Sequence, residues 1–390
     1  MDVNKLRTYS VIQELFRIGT QGEISPAIHM MLSAMDEMVF EKGQEIVAYG
    51  ADAADGMYIL LEGSVEVFDR EGKLINEGGA GDIIGELALI RGCTREATVR
   101  AVTRVEGAHI SRLLFEKMTA IDKSIYGEMM AMIYHKTTSL VRERERMKAE
   151  LQIAARIQTG MLPKNFTSFQ NLPHVKIGAL MQPAKEVGGD FYDVFMSAPG
   201  RLCMVMADVS GKGVPAALFM MMAKTHIRNY GMLGMELEEL AKQVNNRLCT
   251  DNEEELFVTA FIGVLDLESN RFSFINAGHN RPYLYLKDQE YTQLECHSDF
   301  VLGMMEGMRY HEQWVQLPPE SRLFLYTDGA VEAVDREDEL YSDERLKASL
   351  DSLRDVIDPQ LLCHNILDKL ERFSEGEPMA DDITLLSLFR

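Results

Sequence analysis

From Glu128 to Gln158 the chain contains neither proline nor glycine, and across this region Ile133, Leu140, Met147, Ala154 and Met161 recur every seven residues. A breaker-free run with that period reads as a long helix carrying a coiled-coil seam. The helical pattern extends from about Arg112 to Leu162, and Gly160 and Pro163 mark its end. A helix this long cannot bury itself, so the sequence on either side must build separate cores. Thr137, Arg144 and Gln158 interrupt the other half of the heptad, which predicts modest pairing with a register able to change. A single helix lying on its own domain is the alternative reading. The run Arg142-Glu143-Arg144-Glu145-Arg146 reads as a solvated face. With 390 residues, 46% of them apolar, the chain has material for two or three domains. Its net charge of −21 opposes general binding to nucleic acid or to anionic membrane. Five widely spaced cysteines without a CxxC pair read as free thiols of the cytoplasm. The start MDVNKLRTYS has no apolar signal core, and no run reaches the roughly 18 apolar residues of a membrane span. A soluble cytoplasmic protein is expected.

Upstream of the helix, residues 1 to about 35 place apolar side chains at helical spacing, as in Val11, Ile12, Leu15 and Phe16. From Glu37 to about Ile110 the pattern changes to short strands punctuated by glycines, which predicts a small antiparallel barrel or roll. Within it, Arg95 could hold a phosphate through a planar two-pronged contact and Glu86 could accept from sugar hydroxyls; a structural ion pair is the other reading. The wider segment, FEKGQEIVAYG, MYILLEGSVEV and IGELALIRGCTREATVRA, resembles the cyclic-nucleotide-binding domain over Phe40 to Arg112. That resemblance implies that Gly85, Glu86 and Leu87 line the ribose side of a bound cAMP or cGMP and that Arg95 meets the cyclic phosphate. Glu96 departs from the pattern, since a small or hydroxylated residue is usual there and a carboxylate opposes the phosphate.

Downstream, strands are predicted near Lys176–Met181, Arg201–Ala207, Leu256–Asp266, Phe272–Asn276, Pro282–Leu286, Trp314–Leu317, Arg322–Tyr326 and Ile383–Phe389. Helices are predicted at Pro215–Tyr230, Leu237–Thr250, Asp343–Ser352 and Pro359–Phe373. Long strands with helices inserted in pairs make a layered α+β domain. Asp190, Asp208, Asp328 and the pair Asp381-Asp382 all stand where such strands start or stop, so they could meet at one sheet edge. Glycines 188, 189, 211 and 213 would let the backbone approach a charged ligand. Oxygen-only donors suit Mg²⁺ or Mn²⁺, and two such ions about 3.5–4 Å apart can activate a water and clamp a phosphoryl group. Plain Asp-Ser-Gly turns joining strand to helix are the competing reading.

VGGDFYD, DVSGKGVPAAL, NAGHNRP, YTDGAVEA and ADDITLL, in this order, resemble the metal-dependent Ser/Thr protein phosphatases of the PPM family, in the RsbU-like, sporulation-type bacterial branch. ELQIAARIQTGMLP resembles the segment that precedes the catalytic domain there. The resemblance implies an αββα sandwich with two Mn²⁺ or Mg²⁺ ions at one end. Asp208 would bridge them beside the Val209 carbonyl, Asp190, Asp328 and Asp381 would complete the centre, and Asp382 would orient a ligand. Lys185 stands where relatives place a basic residue that meets the substrate phosphate, with a plain surface lysine as the alternative. His279 reads as a loop-ordering histidine bonded to backbone, against a general acid; Lys212 and Phe191 shape the site. The implied chain is multidomain: a sensor over 1–120, a helical coiled-coil linker over 121–165 that pairs two copies, and a phosphatase over 166–390. Its implied reaction is attack of metal-activated water on phosphoserine or phosphothreonine of a STAS-type anti-anti-sigma regulator, with activation by cyclic nucleotide expected and inhibition equally compatible. A silenced phosphatase acting as sensor or scaffold, and a metal-dependent nucleotide hydrolase or cyclase, are the competing classes. The join at Gly160–Pro163 makes the loop around Asp190 the place where sensor movement would reach the metals.

Overall fold

The computed structural model describes residues 1–390 except 22, 53–54, 87–92, 170–171, 173, 251 and 378, and except the side chains of 129, 132–133, 135–137 and 139–141. The chain divides into two compact units, Met1–Arg144 and Glu145–Arg390.

Among the described residues of the first unit, three short helices, α1 (Val3–Leu6), α2 (Ser10–Phe16) and α3 (Pro26–Ser33), precede eight strands. These are β1 (Asp36–Phe40), β2 (Glu45–Val47), β3 (Met57–Glu62), β4 (Ser64–Phe68), β5 (Leu74–Gly79), β6 (Ile83–Ile84), β7 (Thr98–Ala101) and β8 (Val105–Ile110). They form two four-stranded antiparallel sheets, ordered β1-β8-β3-β6 and β2-β7-β4-β5. Strand β3 is buried along Met57–Leu61 because its two faces serve different cores. Met57, Ile59 and Leu61 meet the helices, while Tyr58 and Leu60 meet Val65, Val99 and Val105.

The expected single helix is two. Helix α4 (Arg112–Ile121) stops at Asp122, whose backbone is extended (φ −136°, ψ 103°). The Asp122 carboxylate then accepts from Ser124 N at 2.8 Å, and α5 runs over Lys123–Met161. Such a capping carboxylate offers the backbone an alternative to continuing the turn. Residues 142–150 are exposed as the charge run predicts. Met147 and Ala154 of the seam are exposed, while the side chains of Ile133 and Leu140 lie outside the described residues.

The second unit is built on β9 (Lys176–Gln182), β10 (Phe191–Ala198), β11 (Arg201–Val209), β12 (Val258–Asp266), β13 (Arg271–Ala277), β14 (Tyr283–Tyr285), β15 (Thr292–Gln293), β16 (Gln313–Gln316), β17 (Arg322–Tyr326) and β18 (Ile383–Phe389). Two five-stranded antiparallel sheets result, β10-β11-β12-β13-β16 and β15-β14-β17-β18-β9. Helices α6 (Val214–Met232) and α7 (Leu237–Cys249) follow β11, and α8 (Ser342–Ser352) and α9 (Pro359–Phe373) precede β18. Every residue of β18 is buried, and its period of two explains how. Leu386 and Leu388 join a core containing Val205, Ile262 and Phe274 of the other sheet, whereas Ile383, Leu385 and Phe389 join Leu346, Leu362 and Ile366 of the helices. Among the described residues no helix is long and apolar enough to cross a membrane, and all five cysteines are free.

Candidate active site

Strand β11 is the rail of the site: Leu202–Ala207 are fully buried, and the strand delivers Asp208 at its far end. Its neighbour β10 starts at Phe191, which pairs with Ala207. Continuing that antiparallel register by one residue sets Asp190 opposite Asp208. In the other sheet β17 and β18 pair Tyr326 with Leu385, and Thr327 N donates to Thr384 O at 3.1 Å. That register brings Asp328, just past β17, to Asp381 and Asp382, just before β18.

Asp190 is 1% exposed. Its Oδ2 accepts from Thr327 Oγ1 at 2.6 Å and from Thr384 Oγ1 at 2.7 Å. Burial, and then the Asp208 charge, push its carboxyl well above the usual carboxylate range. Asp208 is raised to about 7, first by burial and then by Asp328, against a hydrogen bond with Asp190 that favours its ionised form. Asp328 is raised by burial and by Glu332 and Asp381. Like charges forced together in this way lack a counter-charge. Lys212 supplies part of one, with Nζ at 2.7 Å from Asp381 Oδ2 and 2.6 Å from the Ala380 carbonyl. Among the described residues no three of the four aspartates bring an oxygen each within 4.8 Å of one another. The set is a spread rim of carboxylates rather than one chelate.

Asp382 points elsewhere. Its Oδ1 accepts from Ala184 N and its Oδ2 from Gly189 N, both at 2.8 Å, so it fixes the loop before Asp190. The glycines are sterically required: a Cβ at Gly188 would stand 2.0 Å from Asp382 Oδ2, one at Gly189 2.8 Å from the Val209 carbonyl, and one at Gly329 2.2 Å from the Asp382 carbonyl. The Val209 carbonyl therefore faces the backbone beside Asp190. Gly211 and Gly213, just before α6, adopt φ of 83° and 82°, which glycine accepts without strain. Lys185 is exposed on the anchored loop, and Phe191 is fully buried under the site. His279 is buried, with Nδ1 2.8 Å from Thr259 Oγ1, and burial pulls its pKa down to about 4. The loop is ordered by Asn276, whose side chain accepts from His279 N at 2.7 Å and donates to His279 O at 2.9 Å. The imidazole bonds the Thr259 hydroxyl, and a backbone contact with Tyr326 opposes the downward shift that burial causes.

Four contributors were not visible in the sequence. Thr327 and Thr384 aim Asp190; the available signal was a hydroxyl one residue before Asp328 in YTDG and two residues after Asp382 in DDIT. Asp193, in the VGGDFYD string, is buried and ion-paired with Lys224 (2.8 Å) and with Arg228, tying β10 to α6. Gln158, which reads as a flaw in the seam, is 2% exposed and bonds the site loop both ways. Its Nε2 donates to Gly188 O at 2.5 Å, and its Oε1 accepts from Gly188 N at 3.2 Å.

In the first unit Arg95 is 3% exposed and already engaged. Its Nη1 donates to Gly85 O at 2.6 Å, and its Nη2 meets the Gly56 carbonyl and Asp55 Oδ1, both at 2.5 Å. Gly85 has φ 84°, and a Cβ there would stand 2.2 Å from Arg95 Nη1. Glu86 is half-buried and Glu96 exposed. Leu87 lies outside the described residues.

Residues 198–390 match the family model "Stage II sporulation protein E (SpoIIE)", and residues 37–122 match "Cyclic nucleotide-binding domain". Protein IcfG of Synechocystis sp. is 27% identical over 278 residues, which cover 62% of this chain and 42% of IcfG. Phosphoserine phosphatase RsbU of Bacillus subtilis is 27% identical over 278 residues, covering 71% of this chain and 80% of RsbU. The solved SiaA-PP2C domain of Pseudomonas aeruginosa is similar in fold, with a TM-score of 0.55 at 23% identity over 64% of this chain and 98% of that domain.

Proposed function

Given that residues 198–390 form a SpoIIE/PP2C-type phosphatase domain and residues 37–122 a cyclic nucleotide-binding-type domain, we propose that the chain is a metal-dependent phosphoserine/phosphothreonine protein phosphatase controlled by its N-terminal domain. The observation that carries this reading is the row of aspartates at the paired ends of β10, β11, β17 and β18, where burial first and neighbouring carboxylate charge second raise three of their pKa values. Asp190, Asp208, Asp328, Asp381 and the Val209 carbonyl are the groups that would hold two Mn²⁺ or Mg²⁺ ions, within a helix-sheet-sheet-helix (αββα) sandwich. All are oxygen donors, which fits these ions. When bound, such ions lower the pKa of a water and neutralise charge on a phosphoryl group. The Thr327 and Thr384 hydroxyls aim Asp190 and favour its ionised form against the larger opposing effect of burial, and Asp382 holds the 184–189 loop against the sheet end. That loop leaves Lys185 in solvent, where its ammonium can meet the dianionic phosphate of a protein substrate. Lys212 neutralises Asp381.

The substrate we infer is a phosphorylated STAS-type regulator, in keeping with RsbU being a phosphoserine phosphatase. Two copies pair through the helical linker of 121–165, between a sensor over 1–120 and a catalytic domain over 166–390, in the cytoplasm. In the sensor, Gly85, Glu86, Leu87 and Arg95 are the residues that would meet cAMP or cGMP. Cyclic phosphate must displace Asp55 from Arg95, so a ligand would change the loops that Arg95 ties together.

The test is phosphate release from a phosphorylated STAS-domain protein and from a generic phosphoester, in Mn²⁺, with and without cAMP or cGMP. Wild type is expected to turn over both substrates, and Asp208→Asn to lose more than about 100-fold. Equal rates for wild type and Asp208→Asn under every metal condition would end the enzymatic reading.

A further inference from the structure

We propose that His297, Asp299 and His311 form a second metal site, for a transition-metal dication of the Zn²⁺ type, independent of the carboxylate rim. These residues belong to none of the strand ends that carry the four aspartates. Among the described residues they are the one cluster of three whose ligand atoms all lie within 4.8 Å of one another. Asp299 Oδ1 is the shared vertex, 3.3 Å from His297 Nε2 and 2.7 Å from His311 Nδ1. The two rings meet edge to face at 5.7 Å between centroids.

Ligand chemistry separates this site from the rim. Two imidazole nitrogens and one carboxylate favour Zn²⁺ and its late first-row neighbours, whereas Mg²⁺ and Mn²⁺ prefer oxygen. Zinc bonds nitrogen and oxygen at about 2.0–2.2 Å, so tetrahedral ligands stand roughly 3.3 Å apart. The His297–Asp299 separation of 3.3 Å has that value already. The His311–Asp299 separation of 2.7 Å is a hydrogen bond that must open by about 0.6 Å when a metal replaces the proton. His311 can make that movement because its side chain is 62% exposed, and His297 is similarly open at 64%. Solvent therefore has access to the remaining coordination position.

The supporting contacts hold the ligands in place before any ion arrives. The Asp299 side chain is only 3% exposed. Its second oxygen accepts from His311 N at 2.8 Å, and its own N–H donates to Asn276 O at 2.7 Å. His297 N donates to Gln313 Oε1 at 2.7 Å, and Gln313 Nε2 returns a bond to His297 O at 2.9 Å. Outer contacts of this kind orient ligands and raise affinity. A surface ion pair between one histidine and one aspartate requires neither the second imidazole on the same oxygen nor this bracing. Cys296 is not part of the cluster, because its Sγ lies 3.6 Å from Asn276 Nδ2. A bound ion would staple the chain at 297–299 to that at 311. Through Asn276 the staple reaches the His279 loop, whose imidazole meets Thr259, the register partner of Asp208.

The experiment uses metal-stripped full-length protein, titrated with Zn²⁺ against a chromophoric chelator in excess Mg²⁺. Co²⁺ serves as a visible-absorption probe. Wild type and Asp208→Asn are both expected to take up one more equivalent than the His297→Ala/His311→Ala double variant, with the nitrogen-ligated Co²⁺ bands lost only in the double variant. His311→Gln alone should weaken that equivalent at least about tenfold, and Cys296→Ser should keep it. Both histidines are exposed, so the variants should melt as wild type does in chelator. Equal stoichiometry and affinity in wild type and the double variant overturns the proposal. Uptake only at millimolar Zn²⁺, or loss with Cys296→Ser instead of the histidine changes, overturns it as well.

Discussion

Replacing Asp208 with asparagine is expected to abolish turnover and, in metal-free protein, to raise stability. Asp208 titrates at about 7 in the folded chain, through burial and the neighbouring Asp328, and near 3.9 when unfolded. Here the folded state holds the proton more tightly, so between those values it binds more protons than the unfolded chain, and folding weakens as pH rises. The penalty is absent below about pH 4, grows through the interval, and is complete above about pH 7. Three units at 1.36 kcal/mol each set a ceiling of about 4 kcal/mol, of which roughly a third is present at pH 5. Asparagine keeps the shape and still buries a polar group, so about half the ceiling, near 2 kcal/mol, should be recovered at pH 8. For a unit of this size that is a Tm rise of roughly 4–8 °C. Calorimetric melting in EDTA at pH 8 and pH 5 reads the effect, which should shrink at the lower pH. Saturating Mn²⁺ should invert the ranking, since an ion at 100-fold its Kd stabilises wild type by about 2.7 kcal/mol and the variant much less. An Asp208→Asn protein that melts below wild type in EDTA at pH 8 would refute the reasoning, because the carboxylate would then be satisfied without metal.

Asp193→Ala strands the buried ammonium of Lys224; urea denaturation should show a loss of about 3–5 kcal/mol, while Asp193→Ala/Lys224→Met should recover much of it. His279, held at about 4 by burial, has a folded pKa below its unfolded value, so its contribution is intact above about pH 6.5 and is lost as pH falls toward 4. Between pH 7.5 and pH 5 this amounts to about 2 kcal/mol in wild type, and His279→Gln should lack that component of the pH dependence. Asp55→Asn removes the carboxylate seated on Arg95; calorimetric titration should then show cAMP or cGMP binding more tightly than wild type by about tenfold, and a weaker signal would mean that Asp55 supports the cradle.

Legibility from sequence followed the range of the interactions. Helix α9 was readable at both ends because its signals are local: Asp358 accepts from Gln360 N at 2.8 Å and from Leu361 N at 3.2 Å, with Pro359 in the first turn. The aspartates stood out because strands run into them. Strand β10 was missed because Asp193 is its third residue, and an acidic residue there reads as a turn until Lys224 and Arg228, 31 and 35 residues on, neutralise it. Likewise the hydroxyls that aim Asp190 arrive from 137 and 194 residues away. Gln158 was misread for the same reason, since the heptad shows only that it is polar, and its partner is a backbone group 30 residues later.

That glutamine has a consequence for how a helix can control a catalytic loop. A carboxamide offers one donor and one acceptor in a plane, as a peptide unit does, so Gln158 and Gly188 meet as two strands of a ladder meet. Its neighbours Ile157 and Thr159 cannot copy that pairing, and each residue of helix rotates the contact direction by about 100°. Sliding or turning α5 by one position would thus break both bonds together instead of stretching them. The loop would be read as tied or untied, with no intermediate setting, and the helix would act on the aspartates as a two-position key rather than as a lever of graded force.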